Sequence, residues 1–171
     1  MVIRQASDTD LAAVADIKVR SWADTYATLL DNDTLAPFLD GGRQLEYLRE
    51  VAKRSDTLLL VADEDGAGVV GFALTFLEHA PEPWLESLHV LREHRSRGAG
   101  ELLMRATAEE LTRRGHHTMR LGVIKGNVRA ARFYARLGAV FAGREPAGWA
   151  PHVWHELYRW PDLERLRLPR R

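Results

Sequence analysis

The chain has 171 residues, with 24 Lys and Arg balancing 24 Asp and Glu, 46% hydrophobic residues and no cysteine. That length suits one domain whose core is large enough to hold without covalent staples. The missing thiols exclude disulfides, zinc–thiolate sites, iron–sulfur clusters and a cysteine nucleophile.

Val2-Ile3-Arg4 reads as a short opening strand. Ser7 to Asp10 supply N-caps for a helix from Ala12 to about Ala27, with Leu11, Val14, Ala15, Ile17 and Trp22 near helical spacing. A second helix is predicted over Arg43 to Arg54. Leu58 to Ala62 is a compact apolar run, read as a buried strand. Asp63-Glu64-Asp65-Gly66 is turn chemistry, and Val69 to Leu77 is the return strand of a hairpin. A strand over Leu85 to Leu91 is followed by a helix from Gly98 to Arg114, stopped by Gly115. A strand over Met119 to Ile124, a helix over Asn127 to Leu137, and strands over Ala139 to Gly143 and Val153 to Trp160 complete the series. Leu163 to Arg171 reads as a polar tail, with Arg165, Arg167, Arg170 and Arg171 in solvent. Helices, then antiparallel hairpins, then strand–helix units imply an α/β domain with a mixed central sheet, not a doubly wound one.

No run approaches about 18 uncharged apolar residues, so no membrane-spanning helix is expected. The first residues lack the basic-then-apolar pattern of a secretion signal, so a cytoplasmic protein is expected. The balanced net charge hides an asymmetry. Residues 1–85 carry 7 Lys and Arg against 15 Asp and Glu, and residues 86–171 carry 17 against 9. Either the basic half meets an anionic partner or the halves neutralise each other on folding.

Gly66-Ala67-Gly68-Val69-Val70-Gly71 matches G-x-G-x-x-G. A dinucleotide site needs a helix after the third glycine. Here Phe72 to Phe76 continues as a strand, so the glycines are read as a hairpin loop. The stretch Leu88 to Met104 differs: a strand ends near Leu91, a basic loop follows, then Gly98, Gly100 and an amphipathic helix. A helix N-terminus offers free N–H groups and a positive dipole end. Glycines let a phosphate approach the backbone, and Arg95 and Arg97 add forked donors. Arg95, Ser96, Arg97, Gly98, Ala99 and Gly100 therefore form a candidate pyrophosphate cradle. It is not a Walker loop, because the Lys-Ser/Thr ending is absent. His152, His155 and Glu156 fall on a predicted strand, where i and i+3 face opposite sides, so no metal is expected. Trp22, Tyr26, Trp149 and Trp154 are read as core aromatics or the lining of an acceptor pocket.

Arg95-x-x-Gly98-x-Gly100, together with Asn127-Val128-Arg129-Ala130-Ala131-Arg132-Phe133-Tyr134-Ala135-Arg136-Leu137-Gly138-Ala139, resembles the two signature blocks of the GNAT superfamily of acyl-CoA-dependent N-acyltransferases. Trp22 and Tyr26 on a helix and Val70-Gly71-Phe72 on a strand are also similar, so the resemblance covers nearly the whole chain. It implies one N-acetyltransferase domain over residues 1–171, with an acceptor-side half (1–84), an acyl-CoA-binding half (85–160) and a tail (161–171). It implies a sheet whose central strands splay to admit the pantetheine arm along Leu88, His89 and Val90. The cradle from Arg95 to Gly100 then holds the pyrophosphate, and Asn127 sits by the thioester. Tyr134 matches the family's general acid, and Trp22 and Tyr26 face the acceptor. The family's usual acidic position falls on Trp84, so Glu86, two residues on, is the first candidate base. His89 is expected on the other strand face; Glu78, His79, Glu82 or a water chain are alternatives. The implied reaction is acetyl transfer from acetyl-CoA to a small-molecule or peptide primary amine by direct attack in a ternary complex, without metal. A homodimer is compatible with the family. A non-catalytic acyl-CoA-binding or sensing domain is the alternative; a nucleic-acid module lacks a stacking platform.

Overall fold

A computed structural model describes residues 1–167. The chain runs β1 (Val2–Gln5), α1 (Leu11–Tyr26), α2 (Asn32–Leu39), α3 (Gly41–Ala52), β2 (Thr57–Glu64), β3 (Gly68–Phe76), β4 (Trp84–Val90), α4 (Ala99–Arg113), β5 (Met119–Ile124), α5 (Val128–Arg136), β6 (Val140–Ala147), β7 (Ala150–Trp160) and α6 (Glu164–Arg167). The seven strands form one mixed sheet in the order β1-β2-β3-β4-β5-β7-β6, in which only β4 and β5 run parallel.

Strand alternation divides the core into two layers. Leu59, Val61, Phe72 and Leu74 pack under α1 and α3 with Val14, Ile17 and Leu48. Leu58, Leu60, Ala73 and Leu85 face the other way, onto Leu103, Met104, Ala108 and Leu111 of α4 and Tyr134 of α5. Gly66 and Gly68 turn the β2–β3 hairpin with positive φ, and Gly71 lies inside β3. No helix follows them, so the G-x-G-x-x-G run is hairpin chemistry.

Two irregularities shape the centre of the sheet. Ser87 lies opposite Leu74 while Leu85 lies opposite Thr75, so β4 carries one extra residue, Glu86, as a bulge. Beyond Trp84↔Arg120, β4 and β5 have no paired residues, whereas β5 is paired with β7 along its whole length. The parallel pair therefore opens toward the C-terminal ends of its strands.

Helix α2 is absent from the sequence-based reading because Pro37 argues against a helix interior. Asp31 caps it by accepting from the Thr34 N–H at 2.9 Å, and buried Gln44 donates to the Pro37 carbonyl at 2.8 Å. Strand β6 extends past Gly143 to Ala147, and β7 begins at Ala150. The tail is corrected too. Leu163 and Leu166, 0% and 2% exposed, dock in the α4-side core, so 161–167 is a packed segment. Arg165 is exposed as expected, whereas Arg170 and Arg171 lie outside the described residues.

Candidate active site

The opening between β4 and β5 continues into a cleft of about 750 Å³ that runs to the start of α4 and along α5. At one end Gly98 holds the N-cap of α4 with φ of 89°, a left-handed conformation that disfavours any side chain. No side chain caps this helix, so its first-turn N–H groups keep their donors and the positive end of a 15-residue helix. A Cβ on Gly100 would stand 3.4 Å from the Phe133 ring, so glycine also lets α4 approach α5 closely.

The cradle residues divide. Ser96, Gly98 and Gly100 line the cleft. Arg95 lines it as well, with its Nε donating to the Val90 carbonyl at 2.9 Å, which ties the loop down over the end of β4. Ala99 is buried in the core and offers its backbone alone. Arg97 turns away, 3.9 Å from Glu64, and does not line the cleft. Three arginines not singled out from the sequence, Arg129, Arg132 and Arg136, border the cleft from α5. Their i, i+3, i+7 spacing puts them on one helix stripe and was the available signal.

The Leu91 N–H donates to Val70 on β3 at 2.9 Å. By antiparallel alternation the N–H and C=O groups of Leu88 and Val90 then turn toward the gap, and those of His89 toward β3. The His89 ring lies 5.5 Å from Phe72 on the α1 side, and burial, aided by Lys18 and Arg95, lowers its pKa to about 3. His89 thus borders the cleft as a neutral, packed ring with its backbone committed to β3.

At the opposite end Tyr134 projects from α5 beneath Trp160, with ring centroids 5.8 Å apart. Burial raises its phenol pKa, and the neighbouring Tyr26 raises it further, so the hydroxyl keeps its proton. Asn127 uses its side-chain oxygen to cap α5 through the Ala130 N–H at 3.1 Å. The neighbouring Tyr26 phenol is held above its usual pKa by burial, which nearby Asn127 partly offsets.

Glu86 stands on the α1 side of β4. Its carboxylate lines the open cleft yet is crowded by protein, and desolvation raises its pKa, opposed by the Trp84 indole, which donates at 2.9 Å, and by Lys18. The expectation that His89 and Glu86 face opposite sides is overturned. Glu86 is itself the extra residue of the bulge, and its side chain turns to the α1 side, where His89 also lies. Lys18, 4% exposed, rests 4.4 Å over the Tyr47 ring, and burial lowers its pKa to about 8. Among the alternative bases, Glu82 is held by Arg159 at 2.6 Å and His79 stacks on Trp84; neither lines the cleft.

Tyr26 reaches the cleft, but Trp22 does not: it stacks on Phe38 with centroids 3.8 Å apart. Trp149 packs on the edges of both rings. Trp154 is exposed. His152 hydrogen-bonds Thr34 at 2.9 Å, and among the described residues no group of three His, Asp or Glu is placed to hold a metal. No helix among them is long and apolar enough to cross a membrane.

The site thus combines a mixed sheet split between two parallel strands, an uncapped helix terminus at one end of the cleft and a buried tyrosine at the other. The chain belongs to the GNAT acetyltransferase family, whose model matches residues 18–139. It is 27% identical over 131 residues to the uncharacterized N-acetyltransferase YuaI of Bacillus subtilis (strain 168), covering 74% of this chain and 73% of that protein. Its fold is similar to that of the PaiA N-acetyltransferase of Thermoplasma acidophilum in complex with coenzyme A, with a TM-score of 0.75, 20% identity, and 92% and 96% of the two chains covered. The ribosomal-protein-alanine N-acetyltransferase of Brucella melitensis gives a TM-score of 0.71 at 24% identity, covering 94% of this chain and 99% of that one.

Proposed function

We propose that this protein transfers an acetyl group from acetyl-CoA to a primary amine by direct attack, with both substrates bound together. The observation that carries this reading is the continuity of one cleft from the uncapped N-terminus of α4, through the β4–β5 gap, to Tyr134 and Glu86. The PaiA relative holds coenzyme A, and the residues present here suit the same ligand. The first-turn N–H groups of α4, with Ser96, Gly98 and Gly100, take the pyrophosphate. Arg129, Arg132 and Arg136 add positive charge along the mouth, which gives the basic half its anionic partner. Leu88 and Val90 offer backbone groups to the amide-bearing arm, as an added strand would meet them. The Val90 carbonyl is already taken by Arg95, which leaves its N–H and both groups of Leu88.

The acceptor amine, with an ordinary pKa of about 10.4, arrives mostly as ammonium and must lose a proton. Glu86, whose raised pKa brings it closer to neutrality, accepts it. The departing thiolate resembles that of cysteine, of pKa about 8.5, and the Tyr134 hydroxyl protonates it. Tyr26 and the open cleft beside Glu86 face the acceptor, a small-molecule or peptide amine.

The test is thermal unfolding with acetyl-CoA, ATP and NADH in parallel, followed by thiol release with an amine panel; the cysteine-free chain adds no thiol background. Acetyl-CoA at a hundred times its dissociation constant should add about 2.7 kcal/mol and raise Tm by about 5 °C or more. Equal shifts with ATP would reduce the cradle to a generic anion site. A selective shift without amine-dependent thiol release would favour a sensing domain.

A further inference from the structure

Helix α1 brings to the α1 side of β4 a buried charge that the proposed reaction does not use. Lys18 is 4% exposed and does not line the cleft, whereas Glu86 and His89 do. It shares the inner face of α1 with Val14, Ile17 and Ser21, and that face packs on Phe72 and Leu74 of β3. Its ammonium lies 4.4 Å from the centre of the Tyr47 ring of α3. Among the described residues no carboxylate stands within ion-pair distance of it. Burying an ammonium without a direct anionic partner is costly, and a ring face offsets only part of that cost. The negative charge that answers it is that of Glu86. Burial lowers the pKa of Lys18 to about 8, opposed by Glu86 alone, so the ammonium is charged at neutral pH. Burial raises the pKa of Glu86, opposed by the Trp84 bond and by Lys18.

We infer that Lys18 is a positioning residue for proton transfer, its ammonium on α1 holding the Glu86 carboxylate ionised until the acceptor arrives. This rests on the acetyltransferase reading, in which Glu86 is the base. A carboxylate crowded by protein drifts toward its neutral form, which cannot take a proton. Lys18 supplies the positive charge that counters this drift. The other groups around the pair do not. His89 is kept neutral by burial, then by Lys18 and Arg95. Tyr47 is kept neutral by burial and Glu86, against Arg54. Opposite the bulge β3 presents Leu74 and Thr75, and α2 presents Leu35 and Phe38 to α1. Arg120 of β5 lies over the Trp84 ring at 5.6 Å and donates to the Ala80 carbonyl at 3.2 Å. In the transfer the acceptor proton passes from nitrogen to a Glu86 oxygen and leaves to water through the open cleft. Lys18 keeps its own proton throughout.

The experiment follows the Glu86 carboxyl by carbon-13 NMR against pH in the ligand-free chain, with Glu86→Gln to assign the signal. Lys18→Met should raise the midpoint by roughly one pH unit or more. Lys18→Arg, which keeps the charge, should hold it near wild type. Thiol release from acetyl-CoA with methylamine is then recorded against pH. The acidic limb of kcat/KM should rise with the midpoint in Lys18→Met, lowering the rate below the limb about tenfold, while the acetyl-CoA thermal shift stays intact. An unmoved midpoint, or a limb that ignores a moved midpoint, overturns the proposal and leaves acetyl transfer standing. No thiol release by the wild-type chain with methylamine or any amine of the panel overturns the transferase reading, whatever the midpoint does.

Discussion

The indole of Trp84 donates to the carboxylate of Glu86 across a bulge in their own strand, at 2.9 Å. The bond holds the carboxylate at the rim of the gap and limits how far desolvation raises its pKa. Because that pKa is raised, the acidic limb of kcat/KM should lie above the ordinary glutamate value. Glu86→Gln should remove that limb and lower the plateau about 100-fold. Trp84→Phe should move the limb further up, since it removes a bond that favours the charged form. A pH–rate profile that keeps its acidic limb in Glu86→Gln eliminates Glu86 as base.

Tyr134 keeps its proton through the neutral range, because burial and Tyr26 both push its pKa upward. Tyr134→Phe should lower kcat by about 100-fold or more while leaving the acetyl-CoA thermal shift unchanged. Equal turnover would assign thiolate protonation to another donor.

A side chain at position 98 meets no steric neighbour, so the cost there lies in the backbone and in charge. Gly98→Ala should weaken acetyl-CoA binding through strain of about 1–2 kcal/mol at φ of 89°. Gly98→Glu should abolish binding, because it adds a carboxylate where the pyrophosphate sits. Titration of the thermal shift separates the two, and unchanged affinity in Gly98→Glu removes the cradle.

Asp10 closes the turn into α1. It accepts from Ser7 N–H at 2.7 Å and from Arg4 at 2.8 and 2.9 Å, and Arg4 also reaches Asp63 at the end of β2. Arg4 holds its carboxyl well below the usual carboxylate range. A depressed carboxyl stabilises the fold above its unfolded-state pKa of about 3.9, and that contribution is lost as pH falls toward the folded value. Asp10→Asn should cost about 1–3 kcal/mol at neutral pH, with the difference from wild type shrinking below about pH 3. Urea unfolding at both pH values checks it.

Leu166 seals α6 onto α4, where Arg105 donates to the Leu166 carbonyl at 3.0 Å. Leu166→Ala should cost about 2–4 kcal/mol. A change within 0.5 kcal/mol, the scale of surface substitutions, would restore the solvated-tail reading.

Much of the molecule was legible because its signals are local. The α4 and α5 segments carry a cap or terminal glycine at each end and a strong apolar stripe, so their bounds fell within a residue or two. The arginine loop before Gly98 likewise announced a helix terminus without a side-chain cap. Helix α2 was missed because Pro37 speaks against a helix locally, while the bond from Gln44 that ties the Pro37 carbonyl to the next helix is a tertiary contact. The tail was misread because Leu163 and Leu166 look isolated among charges, and only the groove beside α4 gives them a place to bury. Trp22 carried an acceptor role in the sequence reading, but its partner Phe38 comes from the missed helix.

The residue order was enough for most of the elements, a candidate cradle, Tyr134 and the family resemblance, since capping, glycine backbone freedom and helical spacing act over a few neighbours. Tertiary structure decided which side chains meet. The extra residue in β4 turned Glu86 and His89 to one side, against simple alternation, because a bulge is defined only by the partner strand it fails to match. The same holds for Gly122 and His155. They are 33 positions apart in the chain, and their contact exists only because β7 pairs with β5 at the register Gly122↔Leu157.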